Sequence, residues 1–279
     1  MRSREHDFSG QVAVVTGAGS GIGRSTALLL AHLGAGVHVA DVDERRAAAV
    51  AAEIEAAGGS ATAHAVDVTD PAAVEALAGR VFEADGAVDV LHNNAGVGHG
   101  GPVEQTSLEE WQRVLAVNLM GVVHGIHFFV PRMLAQGRPG HIVNTASMAG
   151  LVAVAEMAPY ATSKHAVVGL SESLNAELGP RGIHVSAICP GLINTPIIAA
   201  AHLEGELAAQ RDRIKRFYER FGSSPDVVAK AVVDAIVRKK IIRTVPRHHV
   251  VLNWGLRRIS PRAAQPLARL NTRFISRGR

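Results

Sequence analysis

A doubly wound α/β domain is the fold this sequence predicts, with seven strands in a mostly parallel sheet and helices on both faces. Three observations carry that expectation. Short β-branched runs alternate with longer stretches of helical apolar spacing through residues 1–245. The connections between them are short, as a parallel sheet with crossover helices requires. No linker, repeat or shift of composition interrupts the pattern before about residue 236. Right-handed crossovers then wind the sheet in both directions.

The elements follow in order. "QVAVVTG" (Gln11–Gly17) is a buried strand, and "SGIGRSTALLLAHLGA" is the helix after it. "GVHVADVD" (Gly36–Asp43) is a second strand, and the Ala-rich stretch Glu44–Gly59 is a helix closed by glycines. "ATAHAVDV" is a third strand, followed by a helix with Thr69 as N-cap and Pro71 in its first turn. "AVDVLHNNAG" is a fourth strand, Ser107–Leu134 a long helix, "GHIVNTAS" a fifth strand and Tyr160–Leu178 a helix. "GIHVSAICPG" is a sixth strand, "SPDVVAKAVVDAIVRKK" a late helix and "IIRTVP" a seventh strand.

Composition excludes several function classes. The chain has 279 residues, 47% apolar and 19% charged, an ordinary globular balance. Aromatic residues make up 4%, too few for a stacking platform on single-stranded nucleic acid. Cys189 stands alone, so an internal disulfide and multi-cysteine zinc sites are excluded, and a reducing compartment is the default. "MRSREHDFSG" has no apolar core and does not read as a signal peptide. No run approaches the roughly 18 uninterrupted apolar residues of a membrane span. A cytoplasmic location is expected. From Ile236 to Arg279 there are twelve Lys/Arg and no acids, against seventeen basic and twenty-five acidic residues before them. An acidic body therefore carries a basic C-terminal extension, residues 246–279.

Two stretches carry chemistry. "TGAGSGIG" (Thr16–Gly23) lies between a strand and a helix, where glycines let a phosphate approach the helix N-terminus. Asp41 follows Gly21 by twenty residues, at the end of the second strand. A carboxylate there suits ribose hydroxyls and repels a 2′-phosphate, favouring NAD over NADP in a Rossmann-like sheet. Arg45 and Arg46 are expected on the solvated face of the next helix. The second stretch, "SMAGLVAVAEMAPYATSK", holds one of only two tyrosines. Tyr160 and Lys164 share a helical face, and Ser147 precedes the tyrosine by thirteen. A nearby ammonium favours phenolate, so a tyrosine tuned below its usual pKa of ~10 is expected.

These pieces, with "NNAG" (Asn93–Gly96), Asn118 in "AVNLMG" and "PGLINT" (Pro190–Thr195), occur in one order. Over about residues 8–245 the chain resembles a classical short-chain dehydrogenase/reductase. The resemblance implies Tyr160 as acid/base, Ser147 as stabiliser of the substrate oxygen and Lys164 as the group that lowers the tyrosine's pKa and binds ribose. It implies Asn118 as a helix-bending proton relay. For NAD it implies Gly17, Gly19, Ser20, Gly21, Ile22 and Gly23 at the pyrophosphate and Asp41 at the adenosine ribose. Asp67 and Val68 would lie at the adenine, with Asn94, Ala95 and Gly96 as floor. Pro190, Gly191, Ile193 and Thr195 would flank the carboxamide. It implies no metal, an apolar secondary alcohol or ketone as substrate, a substrate lid near 195–222, and a homotetramer or dimer paired through the two long helices.

Other residues have plainer expectations. His92, His99, His124 and His127 are structural or surface histidines, and Cys189 is an inert buried thiol. Met148, Leu151, Val152 and Met157 either line the substrate pocket or pack in the core. In the extension, arginines mix with apolar residues such as Val250, Trp254 and Leu256, and Pro261 and Pro266 divide it into short pieces. Three outcomes stay open: peripheral contact with an anionic membrane, packing on the acidic body, or plain disorder. A non-catalytic NAD-binding scaffold, and nucleic-acid binding by the tail, are the competing functions.

Overall fold

The computed structural model describes residues 6–260, 262 and 264–266. Seven strands form the main sheet: β1 (Val12–Thr16), β2 (Gly36–Asp41), β3 (Ser60–Ala65), β4 (Val90–Asn93), β6 (Gly140–Thr145), β7 (Ile183–Pro190) and β9 (Ile242–Val245). Their order is β3-β2-β1-β4-β6-β7-β9, and every pairing is parallel rather than most of them. Side chains alternate across a strand. On β1, Val12 and Val14 therefore enter the core on one face, while Ala13 and Val15 enter the core on the other. The first face packs α3 (Pro71–Asp85), α5 (Gly121–Ala135) and the end of α6 (Ala158–Leu178). The second packs α1 (Gly21–His32), α2 (Glu44–Ala56) and α10 (Pro225–Arg238).

Strand order reverses between β1 and β4, the place where an open parallel sheet leaves a crevice at its carboxyl edge. The glycine turn after β1 and the Asn-rich loop after β4 both open there.

Several local expectations change. The cap of α3 is Asp70, one residue after Thr69, because its carboxylate accepts from Ala72 N. The helix expected over Ser107–Leu134 is α4 (Leu108–Leu115) and α5, joined by a π-turn at Ala116–Met120. Two further strands, β5 (His99–Gly100) and β8 (His202–Leu203), pair in parallel and tie the loop after β4 to the lid. Two residues are too few to show a period. The segment expected as a lid, 195–222, holds α7 (Ile197–Ala200), β8, α8 (Gly205–Ala209) and α9 (Arg211–Phe221). Its inward residues Ala201, Leu207 and Ile214 are buried, while Lys215 and Glu219 pair on the outside.

The extension begins with α11 (Arg247–Ile259). Val250 is buried, and Trp254 packs against the cluster that holds Leu151, Val152, Val167 and Val168. The described part of the extension therefore lies on the body. Pro266 is the last described residue of a helical stretch, residues 264–266. Pro261 and residues 267–279 lie outside the described residues.

Candidate active site

The crevice is braced from below. Asn94 donates through Nδ2 to the carbonyls of Thr16 (3.0 Å) and Gly17 (3.3 Å), and its Oδ1 accepts from the Thr145 hydroxyl (3.1 Å). One amide thus ties β1, β4 and β6 together at their carboxyl ends. The glycine turn fits closely above it. Gly17 has φ +60°, and a Cβ there would lie 2.8 Å from the Ala95 Cα. A Cβ on Gly23 would lie 2.3 Å from the Gly17 carbonyl oxygen and 2.5 Å from Asn94 Nδ2.

A dinucleotide fits these residues. Ser20 precedes α1 without capping it through its side chain, which leaves the helix N-terminus suited to an anion. Gly21 faces Thr195 across the opening, and Gly96 faces Lys164 Nζ. Asp41 is buried; its Oδ2 accepts from Gly19 N (2.9 Å) and its Oδ1 from Asp43 N (3.0 Å). Arg45 and Arg46 are exposed on the next helix, as expected, but Arg46 also has acidic partners. It lies 3.4 Å from Asp41 and 3.1 Å from Asp43, at the same edge. Farther out, Asp67 is exposed and closes a turn onto Thr69, while Val68 is buried and its carbonyl accepts from His124 (2.8 Å). On the other side, Gly191 N donates to the Val245 carbonyl (2.8 Å) just beyond Pro190, and Ile193 bridges to Ser223.

Ser147, Tyr160, Lys164 and Asn118 meet in the crevice. Ser147 follows β6 and opens a 3-10 turn, Met148–Gly150; its hydroxyl accepts from Ala149 N (3.1 Å). Tyr160 and Lys164 lie one turn apart on α6. The Lys164 side chain is buried, donates to the Thr145 carbonyl (2.8 Å) and stands 5.8 Å from the centre of the Tyr160 ring. Asn118 is fully buried in the π-turn. It exchanges hydrogen bonds with the Val97 backbone (2.8 and 3.0 Å) and donates to Ser163, whose hydroxyl reaches the Tyr160 carbonyl (2.7 Å).

The electrostatics correct one expectation. Tyr160 lies above the ordinary phenol value, because burial outweighs the hydrogen bond from Ser147 that pulls it down. Lys164 is lowered to about 8, again by burial. Its ammonium is aimed at a backbone carbonyl, so in this cleft the lysine alone does not make the tyrosine a strong acid.

The remaining candidates have protein partners. His92 is fully buried on the Thr145 hydroxyl (2.8 Å) and burial lowers it to about 3. His99 meets Glu110 (3.1 Å), and His127 lies edge-on to Phe128. Burial pushes Cys189 up to about 12, as suits an inert thiol. Leu151 and Val152 are core residues, whereas Met148 and Met157 are half-buried. Two residues were not foreseen. Thr145 holds Lys164 through its carbonyl and Asn94 through its hydroxyl, and a backbone acceptor leaves no sequence signal. Tyr218, on α9, is raised by burial and by Tyr160, so the lid brings the second tyrosine toward the first. The scarcity of tyrosine was the available hint.

A family model described as short chain dehydrogenase matches residues 11–204. The chain belongs to the short-chain dehydrogenase family. Among its relatives is the probable oxidoreductase EphD of Mycobacterium tuberculosis, 42% identical over 269 residues; these make up 94% of this chain and 45% of that one. The chain thus spans about half the length of that relative. The cyclohexanol dehydrogenase of an Acinetobacter species is 42% identical over 193 residues, 69% of this chain and 76% of that one. A short-chain dehydrogenase/reductase from Burkholderia phymatum, solved with NAD, superposes with a TM-score of 0.86 at 38% identity, covering 92% of this chain and 96% of the other. Solved members of the fold hold NAD in one case and NADP in another.

The buried lysine makes stability depend on pH. Its folded pKa of about 8 lies below its ordinary 10.5. Between those values the unfolded chain binds more protons than the folded one, so stability rises with pH across that window. Below about pH 8 the full penalty of the buried charge is present. Lys164→Met removes it. Denaturant titrations at pH 7.5 and 10.5 should show wild type gaining on the variant by up to roughly 3 kcal/mol as pH rises. Parallel curves would contradict the burial of the charge.

Proposed function

We propose that this short-chain dehydrogenase is NAD-preferring and interconverts apolar secondary alcohols and ketones. The convergence of Ser147, Tyr160 and Lys164 beside the glycine turn carries this reading. The dinucleotide, when bound, supplies the hydride acceptor or donor. Tyr160 takes the proton from the alcohol oxygen during oxidation and returns it during reduction. Ser147 donates a hydrogen bond to the same oxygen. Lys164 holds the ribose and keeps positive charge beside the phenol, and Asn118 anchors the path that returns the proton to solvent. Ile193 and Thr195 orient the carboxamide, and Asp41 binds the adenosine ribose.

The inward face of the lid, with Leu207 and Ile214, supports an apolar substrate. Cyclohexanol, in the name of the Acinetobacter relative, is the first compound to try, followed by steroids, long-chain secondary alcohols, 3-hydroxyacyl thioesters and small polyols. The buried free thiol of Cys189 suits a reducing, cytoplasmic setting. By length and composition alone, the helical stretch Leu108–Ala135 could cross a membrane: one 18-residue window has a mean hydropathy of 1.7 and is 39% buried. It packs on α3, β4 and α6, and the part left uncovered, with Leu108 and Met120, suits pairing with a second copy.

Three outcomes follow. Tyr160→Phe should reduce turnover at least about a thousandfold while NADH still binds in a fluorescence titration, since the hydroxyl is used for the proton and not the cofactor. More than a tenth of wild-type turnover would remove the role. Wild type should prefer NAD over NADP in kcat/KM, and Asp41→Ala should narrow that preference about tenfold. Equal use of NADP would mean that Arg46 leaves Asp41 to hold a 2′-phosphate. Light scattering at micromolar concentration should give a tetramer, or a dimer if the extension covers one face; a monomer would refute the pairing.

A further inference from the structure

The described arginines of α11 differ in what they touch. Arg258 is exposed and lies over the Trp254 ring, 5.2 Å from its centre. Arg257 points inward. Its Nη1 donates to the Leu151 carbonyl (2.5 Å) and to His165 Nε2 (2.6 Å). The histidine's other nitrogen, Nδ1, donates to the Ala161 carbonyl (2.9 Å), which leaves Nε2 free to accept.

Those two acceptors belong to the two halves of the catalytic set. Leu151 closes the turn that begins at Ser147, where Gly150 N bonds the Ser147 carbonyl (2.9 Å) and Leu151 N bonds the Met148 carbonyl (2.9 Å). His165 follows Lys164 on α6, five residues after Tyr160. The turn and the helix already touch: a Cβ on Gly150 would lie 2.5 Å from the Lys164 carbonyl oxygen. A cleft of about 210 Å³ opens beside the contact, lined by Leu151, Glu172, Trp254 and Arg257 among others. The guanidinium therefore adds two hydrogen bonds at the open edge of a contact that is packed on its inner side.

We propose that Arg257 is a positioning residue for the dehydrogenase reaction, clasping the Ser147 turn to the Tyr160–Lys164 helix. A charge-assisted donor shared by two acceptors fixes their separation. The distance from Ser147 to Tyr160 decides whether both hydroxyls reach one substrate oxygen, and a small error there is costly in rate. The basic extension then serves catalysis through this contact. The proposal rests on the roles of Ser147 and Tyr160 given above.

The test uses the full chain and four variants: Arg257→Ala, Arg257→Lys, Arg258→Ala and Tyr160→Phe. Turnover is followed with cyclohexanol, or with whichever alcohol of the panel wild type oxidises fastest. NADH affinity is measured by fluorescence, and amide hydrogen exchange is followed at 149–152. Arg257→Ala should lower kcat about ten- to a hundredfold, leave NADH affinity within about twofold and speed exchange in the turn. Arg257→Lys, whose ammonium also offers several hydrogens from one nitrogen, should recover most of the loss. Arg258→Ala should behave as wild type. Unchanged kcat in Arg257→Ala overturns the proposal, even with faster exchange, and so does a lower kcat with unchanged exchange. A general loss of melting temperature and NADH binding that lysine does not rescue shows a merely structural arginine and also overturns it. If Tyr160→Phe stays active, the catalytic assignment fails first, and that result is separate from the arginine's.

Discussion

A buried ammonium constrains the rest of this site. Lys164 is almost wholly inside the protein, and taking a charge out of water is expensive unless it finds partners. Its described protein acceptor is the Thr145 carbonyl, at the end of a central strand. For that bond to form, α6 must lie directly against the carboxyl end of β6. The tight approach of Gly150 to the Lys164 carbonyl oxygen and the bond from Asn118 to Ser163 hold it there. The site is thus built on the rigid part of the fold, and the lid is added above it.

The same burial acts on both members of the tyrosine–lysine pair. Dehydration raises Tyr160 and lowers Lys164, opposite in sign and alike in cause. A second positive charge close to the phenol changes that balance, and the nicotinamide of a bound oxidised dinucleotide carries one. On the proposed reading, a bound oxidised cofactor would favour the phenolate of Tyr160 against the upward push of burial.

Much of this was legible in the chain. Runs such as "VAVVT" and "HIVNT" are short, apolar and β-branched, so periodicity alone placed the seven strands. The glycine turn, Asp41 and the Ser147–Tyr160–Lys164 spacing were visible because each is local in sequence. What stayed hidden is long-range or backbone-borne. The two-residue strands at His99 and His202 have no period. The π-turn at Asn118 is a one-residue change in hydrogen bonding within a helix read as continuous. The bond from Arg257 to Leu151 joins residues 106 apart and involves a carbonyl. The direction of the Tyr160 shift was misread because spacing shows a neighbouring charge but not the water lost around the phenol.

The chain's two tyrosines allow a direct measurement of the central claim. Carbon-13 labelling at the tyrosine ζ position gives one resonance each for Tyr160 and Tyr218, assigned with Tyr160→Phe. Titrating the labelled protein with and without NAD reports the phenol's ionisation. The account predicts that Tyr160 titrates above its ordinary value of ~10 in the free protein and drops below it when NAD is bound. A Tyr160 resonance that already titrates low without NAD, or that does not move when NAD binds, would contradict it.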